Sequence, residues 1–297
     1  MKIKFWGTRG SIPAPGRSTV RYGGNTACTE IRTDGGDLLI LDAGTGIREL
    51  GISLMESQPV TAHIFIGHTH WDHISGFPFF PPAFAPGNTL TVYAARNIDK
   101  RIEEILAGQM DYTYFPVHLE DLPCDIEYHE LREERIKVGS ARVDTHYLNH
   151  TSVCMGYRVE ADGTSVAYVS DHEPFGLALL GSNPDPSRLG RGLADGVLHE
   201  GDRRLIEWLQ GVDVLIQDCQ YTPGEYPKKI GWGHGSTDYV VDVALAAGAR
   251  KLILFHHDPT HSDDFIDQMI EWARERVRDR RAKLEVLGAR EGETVSP

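Results

Sequence analysis

Four metal-competent side chains crowd into six consecutive residues, His68-Thr-His70-Trp-Asp72-His73, and this density restricts the chain more than any other feature. Imidazole and carboxylate are borderline and hard ligands, suited to zinc, iron or manganese. In extended chain, residues two apart point the same way, so His68 and His70 can grip one ion together. If the chain then turns into a helix, Asp72 and His73 aim at a second ion nearby. The run begins just past His63-Ile-Phe-Ile66, an apolar stretch that reads as a buried strand. Loops at strand ends are where a rigid sheet positions reactive groups.

Two ions need more ligands than this run supplies, so isolated His and Asp are expected at other strand ends. His150 follows the strand around residues 142–147, Asp171 follows Val166-Ala-Tyr-Val-Ser170, and His256 follows Leu252-Ile-Leu-Phe255. Each polar residue ends an apolar run. At the last position His257 is the alternative, and His256 is preferred because it directly follows the strand.

Around these points the periodicity predicts strands at residues 2–8, 26–33, 38–42, 63–66 and 90–93. Further strands are expected at 136–146, 154–160, 165–170, 212–218, 251–255 and 283–287. Helices are expected at 46–55, 98–107, 203–210, 237–247 and 263–279. The aromatic, proline-rich segment 77–84 reads as a loop or broken helix, and residues 181–202 as a surface loop. Arg274, Arg276, Arg278, Arg280 and Arg281 alternate with acids and read as a solvated helix face. A β-rich half thus precedes a half in which strands and helices alternate. With no linker or repeat between them, 1–297 is expected to be one domain of four layers, two sheets face to face with helices outside.

Composition narrows the class. The 297 residues are 40% hydrophobic and 25% charged, as in ordinary globular proteins, and no run of about 18 apolar residues suggests a membrane span. Cys28, Cys124, Cys154 and Cys219 form no C-x-x-C pair, so reduced, buried thiols are expected. The start lacks the apolar stretch and cleavage site of a signal peptide, which makes a cytoplasmic address the default. A formal net charge of −13 would repel long polyanions, so no stable nucleic-acid complex and no membrane partner are expected.

The pattern H-x-H-x-D-H, followed by His, Asp and His each after a strand, resembles the metallo-β-lactamase superfamily. The likeness runs in order from Asp42 to His256. It implies an αββα sandwich in which His68, His70 and His150 hold one metal, Asp72, His73 and His256 the other, and Asp171 bridges. Two divalent ions are implied, Zn2+ first, with Mn2+ or Fe as alternatives, and a homodimer is one possible assembly. Asp42, in Asp42-Ala-Gly-Thr-Gly46, is expected to orient a ligand from behind.

Tyr22-Gly-Gly-Asn-Thr26 and Asp42-Ala-Gly-Thr-Gly46 further resemble the branch of tRNA 3′-processing endonucleases and small phosphodiesterases. In those relatives an acid and a histidine form a proton relay. The matching stretches here are Val214-Leu-Ile-Gln-Asp218 and Gly233-His-Gly-Ser-Thr237. By that match His234 protonates the leaving oxygen and Asp218 orients it. The acid is Asp218 where those relatives usually carry Glu, and Gly235 is inserted into the commoner His-Ser-Thr. The expected reaction is in-line attack on phosphorus by a hydroxide bridging two cations, with Asp72 able to accept the water's proton.

The tRNA-cutting relatives carry a long arm, usually between the third and fourth metal motifs. Here 20 residues separate His150 from Asp171. A small phosphodiester, such as a cyclic nucleotide or a cyclic phosphate of a sugar, is the expected substrate, and no cleavage of precursor tRNA is expected. Trp71, Phe79, Phe80, Tyr114, Phe115 and Trp232 offer faces for a base, though packing accounts for each one as readily. The rival readings are a hydrolase of carboxylic esters, lactones or thioesters, since a metal pair also polarises carbonyls, and a non-hydrolytic di-iron sensing module.

Overall fold

The computed structural model describes residues 1–178 and 199–297. The strands are β1 (Lys2–Gly7), β2 (Cys28–Arg32), β3 (Leu38–Leu41), β4 (Thr61–Ile66), β5 (Thr89–Ala95), β6 (Asp125–Leu131) and β7 (Arg135–Val138), followed by β8 (Ala141–Leu148), β9 (Cys154–Ala161), β10 (Thr164–Val169), β11 (Val214–Asp218), β12 (Lys251–Phe255), β13 (Glu285–Gly288) and β14 (Thr294–Val295). The helices are α1 (Ile47–Leu54), α2 (Trp71–Ile74), α3 (Ile102–Gln109), α4 (Phe175–Ala178), α5 (Glu200–Leu209), α6 (Thr237–Ala246) and α7 (Asp263–Asp279).

Two seven-stranded sheets result, ordered β14-β1-β2-β3-β4-β5-β6 and β13-β12-β11-β10-β9-β8-β7. Phe5, Phe65, Tyr157, Ile216 and Phe255 fill the space between them. A second apolar layer packs Leu50, Ile64 and Leu106 between the first sheet and its helices, and a third packs Leu205, Val240, Leu252 and Ile270 between the second sheet and α5, α6 and α7. This is the expected αββα sandwich. The central strands β3, β11 and β12 carry the apolar runs Leu38–Leu41, Val214–Ile216 and Leu252–Phe255 because both of their faces are covered. Strands β3 to β6 run parallel, as do β10 to β13. The loops after β3, β4, β10, β11 and β12 therefore open toward one edge of the sandwich.

Some expectations need correction. Strand β6 was not anticipated: at a sheet edge only part of Asp125-Ile-Glu-Tyr-His-Glu-Leu131 is buried, and its charges blur the alternation while discouraging edge-to-edge pairing. The segment 136–146 is two strands, split where Gly139 turns with φ +56°. Helix α3 starts at Ile102 rather than 98, leaving Ile98 in water, because Glu104 caps the Arg101 N–H. In the 77–84 segment two short 3-10 turns bury Phe77 and Phe80 and expose Phe79 and Phe84. The basic face of α7 is not wholly solvated: the Arg276 guanidinium donates to both carboxylate oxygens of buried Asp242 on α6 (2.9 and 2.6 Å), and Arg280 adds a third bond. Of the expected 181–202 loop, 181–198 lies outside the described residues and 200–202 belongs to α5. All four cysteines are buried and unpaired.

Strand β14, from the end of the chain, completes the sheet built by the beginning. Since neither half closes its sheet alone, thermal unfolding followed by circular dichroism and by tryptophan fluorescence should give one coincident transition. Two separated transitions would show that the halves fold as separate domains.

Candidate metal centre

Two cages of side-chain atoms form at the strand ends. In the first, His68 Nε2 lies 2.9 Å from His70 Nδ1, which lies 3.2 Å from His150 Nε2. Asp171 Oδ2 is 3.6 Å from both His68 Nε2 and His150 Nε2. In the second, His73 Nε2 lies 3.2 Å from His256 Nε2, 3.3 Å from Asp72 Oδ2 and 3.2 Å from Asp171 Oδ1. His256 Nε2 is 3.1 Å from Asp72 Oδ2 and 3.3 Å from Asp171 Oδ1. A tetrahedral ion bound at about 2.0–2.1 Å spaces its ligands about 3.3 Å apart. The two cages match that spacing, and the two oxygens of Asp171 face one cage each.

Local backbone explains how these atoms meet. His68 and His70 leave the end of β4 in extended chain, and α2 then starts with His70 as its N-cap residue, swinging Asp72 and His73 inward. Buried Asp42, just past β3, accepts from His73 Nδ1 (2.7 Å), from the Tyr168 hydroxyl (2.7 Å) and from the Gly67 N–H (2.7 Å). That fixes the His73 ring with Nε2 toward the cage. His150 is oriented likewise, its Nδ1 donating to the Gly233 carbonyl (2.9 Å). His256 sits in the left-handed region, φ +59°, with its ring against Gly10, where a Cβ would fall 2.4 Å from the ring. The next N–H, that of Ser11, donates to Asp72 Oδ2 at 2.6 Å. His257 turns away: its Nε2 lies 3.0 Å from the Ala289 carbonyl, and burial pushes its imidazole down to about 3.

The electrostatics fit cations. Among the described residues Asp171 Oδ1 is buried with no hydrogen-bond partner, which is costly unless an ion satisfies it. Burial lowers His68, His70 and His150, keeping them neutral as ligands must be. Burial alone would lower His73 and His256 too, but Asp171 and Asp72 outweigh it, raising His73 strongly and His256 to about 9. Protons on these two rings stand where positive metal charge would be. Burial would raise Asp72 and Asp171, yet the facing imidazoles hold both below the ordinary carboxylate range.

Beside the cages lies a histidine–aspartate pair. His234 Nδ1 is 3.0 Å from Asp218 Oδ2 and 3.7 Å from Asp171 Oδ2, and its ring stacks on His256 at 5.1 Å. Asp218, at the end of β11, also accepts from the N–H groups of His172, Gln220 and Gly235. The seven candidate metal ligands, Asp42, Asp218 and His234 thus lie at this one edge. The sequence reading missed Gly10, Ser11, Tyr168, Glu173 and the Gly233 carbonyl. The glycines after β1 and before His234 were the available signal for close approach.

An αββα sandwich with two His/Asp cages at its strand ends is a frame able to hold two metal ions. A family model described as beta-lactamase superfamily domain matches residues 38–183. Ribonuclease Z of Bacillus cereus is 25% identical, the alignment covering 93% of this chain and 94% of the relative. Among solved structures, human tRNase Z, short form, superposes with TM-score 0.65 at 18% identity, covering 100% of this chain and 99% of the other. A diphosphatase from the PhnP family gives TM-score 0.63 at 19% identity, covering 100% and 97%. These likenesses together support a metallo-β-lactamase superfamily hydrolase.

Two outcomes follow for metal binding. Asp42→Ala frees the His73 ring and should weaken any ion that Asp72, His73 and His256 hold about 10–100-fold, measured by chelator competition. Because His73 and His256 are raised in the metal-free protein, loading must displace their protons. Apparent affinity should therefore climb as pH rises, with proton release detectable by pH-stat titration. Uptake without proton release would contradict this charge assignment.

Proposed function

We propose that this chain is a dinuclear metal-dependent phosphodiesterase acting on a small phosphodiester, such as a cyclic nucleotide or a cyclic phosphate. His68, His70 and His150 would hold one ion, Asp72, His73 and His256 the other, and Asp171 both. When bound, such a pair supplies a nucleophilic oxygen at neutral pH and neutralises charge growing on the phosphoryl oxygens. The chemistry of the donor set, five imidazoles and two carboxylates, suits zinc, manganese or iron.

The observation that carries the phosphodiester reading is the Asp218–His234 pair. An alkoxide leaving a phosphodiester needs a proton, and a positioned imidazole can deliver one near neutral pH. His234 Nδ1 is tied to Asp218, and among the described residues no protein group bonds its Nε2. In this reading Nε2 gives the proton to the leaving oxygen, while Asp218 fixes the ring. Asp72, with Oδ2 against the Ser11 N–H and two imidazoles, has little basicity left, so positioning suits it better than proton abstraction. The relatives with ribonuclease and diphosphatase names support a phosphoester substrate.

A small substrate is supported by the chain between His150 and Asp171. It is the hairpin β9–β10, closed by a tight turn at Asp162-Gly163, with no room for a protruding arm. The net charge of −13 also disfavours folded RNA.

His234→Ala should slow hydrolysis of an alkyl phosphodiester by about 10²-fold or more with metal content unchanged. Hydrolysis of bis(p-nitrophenyl) phosphate, whose leaving group needs less protonation, should slow much less. Equal rates for variant and wild type on the alkyl ester would remove the proton relay. Turnover of lactones or thioesters with no phosphodiester cleavage would favour the carbonyl-hydrolase alternative.

A further inference from the structure

Two residues beyond Asp171, the buried Glu173 spends its whole carboxylate on one loop. It accepts from the Tyr226 hydroxyl (2.9 Å), the Gly231 N–H (2.7 Å) and the Gly233 N–H (2.9 Å). The last two bonds bracket Trp232, whose own N–H donates to the Lys229 carbonyl at 3.0 Å. Gly231 and Gly233 are left-handed, with φ of +86° and +88°, a conformation side chains resist. The turn is thus pinned on both flanks, unlike most surface loops.

What it presents is nevertheless wet. The Trp232 indole is 56% exposed, with Lys229 Nζ 3.9 Å from its ring centroid. A large aromatic side chain is stabilised by burial, so fold stability does not explain a rigid turn that holds one in water. Its place does. The next carbonyl, that of Gly233, orients His150, and His234 follows directly. Charge points the same way. Two divalent cations would only balance the carboxylates of Asp42, Asp72, Asp171 and Asp218, so an incoming anionic diester gains from a further cation at the mouth. Lys228 and Lys229 supply positive charge there, in a chain of net charge −13.

We propose that this turn recognises a nucleobase: Trp232 stacks on the planar base of a nucleotide phosphodiester, Lys229 attracts its charge, and Glu173 is the positioning residue that holds both. The inference rests on the phosphodiesterase reading and narrows its substrate from cyclic phosphates in general to base-bearing ones.

Calorimetric titration of the zinc-loaded protein with adenosine 5′-monophosphate and with ribose 5-phosphate tests it. Trp232→Ala should weaken the nucleotide about tenfold, the scale of one base stacked on one aromatic ring, and should weaken ribose 5-phosphate far less. Trp232→Phe, which keeps a stacking face, should restore most of the loss. Lys229→Ala should weaken both ligands, less so at high salt. Unchanged nucleotide affinity in Trp232→Ala overturns the proposal, as does an equal loss for both ligands. Nucleotide binding through Trp232 without phosphodiester turnover would sink the functional reading alone; turnover without base discrimination would sink this inference alone.

Discussion

The two oxygens of Asp171 face two different cages, and the rest of the site is arranged about that carboxylate. It stands just past β10, in the second sheet, while His68, His70, Asp72 and His73 come from the end of β4 in the first. The bridge therefore works only if the two sheets pack at a fixed offset. The apolar layer between them, with Phe65 and Tyr168 fully buried, supplies that constraint. Tyr168 contributes twice, since its ring packs in the layer and its hydroxyl bonds the Asp42 that orients His73. Core packing and ligand geometry are the same structure seen from two sides.

The fold was legible because its central strands are uninterrupted apolar runs, and a run such as Leu38-Leu-Ile-Leu41 has few alternatives. The candidate ligands were legible because each stands just past a strand. Two edge strands were not: β6 is half solvated and charged, and β14 is two residues long, so neither carries a periodic signal. Arg276 was misread for a related reason. Its partner Asp242 lies on α6, and no local pattern reveals a pairing made across 34 residues.

Supporting contacts were also hidden, because they run through backbone atoms. The Gly233 carbonyl behind His150, the Ser11 N–H on Asp72 and the Gly231 and Gly233 N–H groups on Glu173 have no side-chain signature. Only the glycines betray such places, and a glycine marks a close approach without saying what approaches. His256 shows the limit. Its left-handed backbone would be unexpected from sequence, yet the packing of its ring on Gly10 depends on it.

The two cages differ in shelter. His70 is exposed, whereas Asp72, His73, Asp171 and His256 are all buried. An ion among the first set can trade ligands with water directly, while one in the second can leave only after the protein around it opens. Depletion by a chelator would accordingly be ordered in time, the outer position emptying first and the inner one following at the pace of local unfolding.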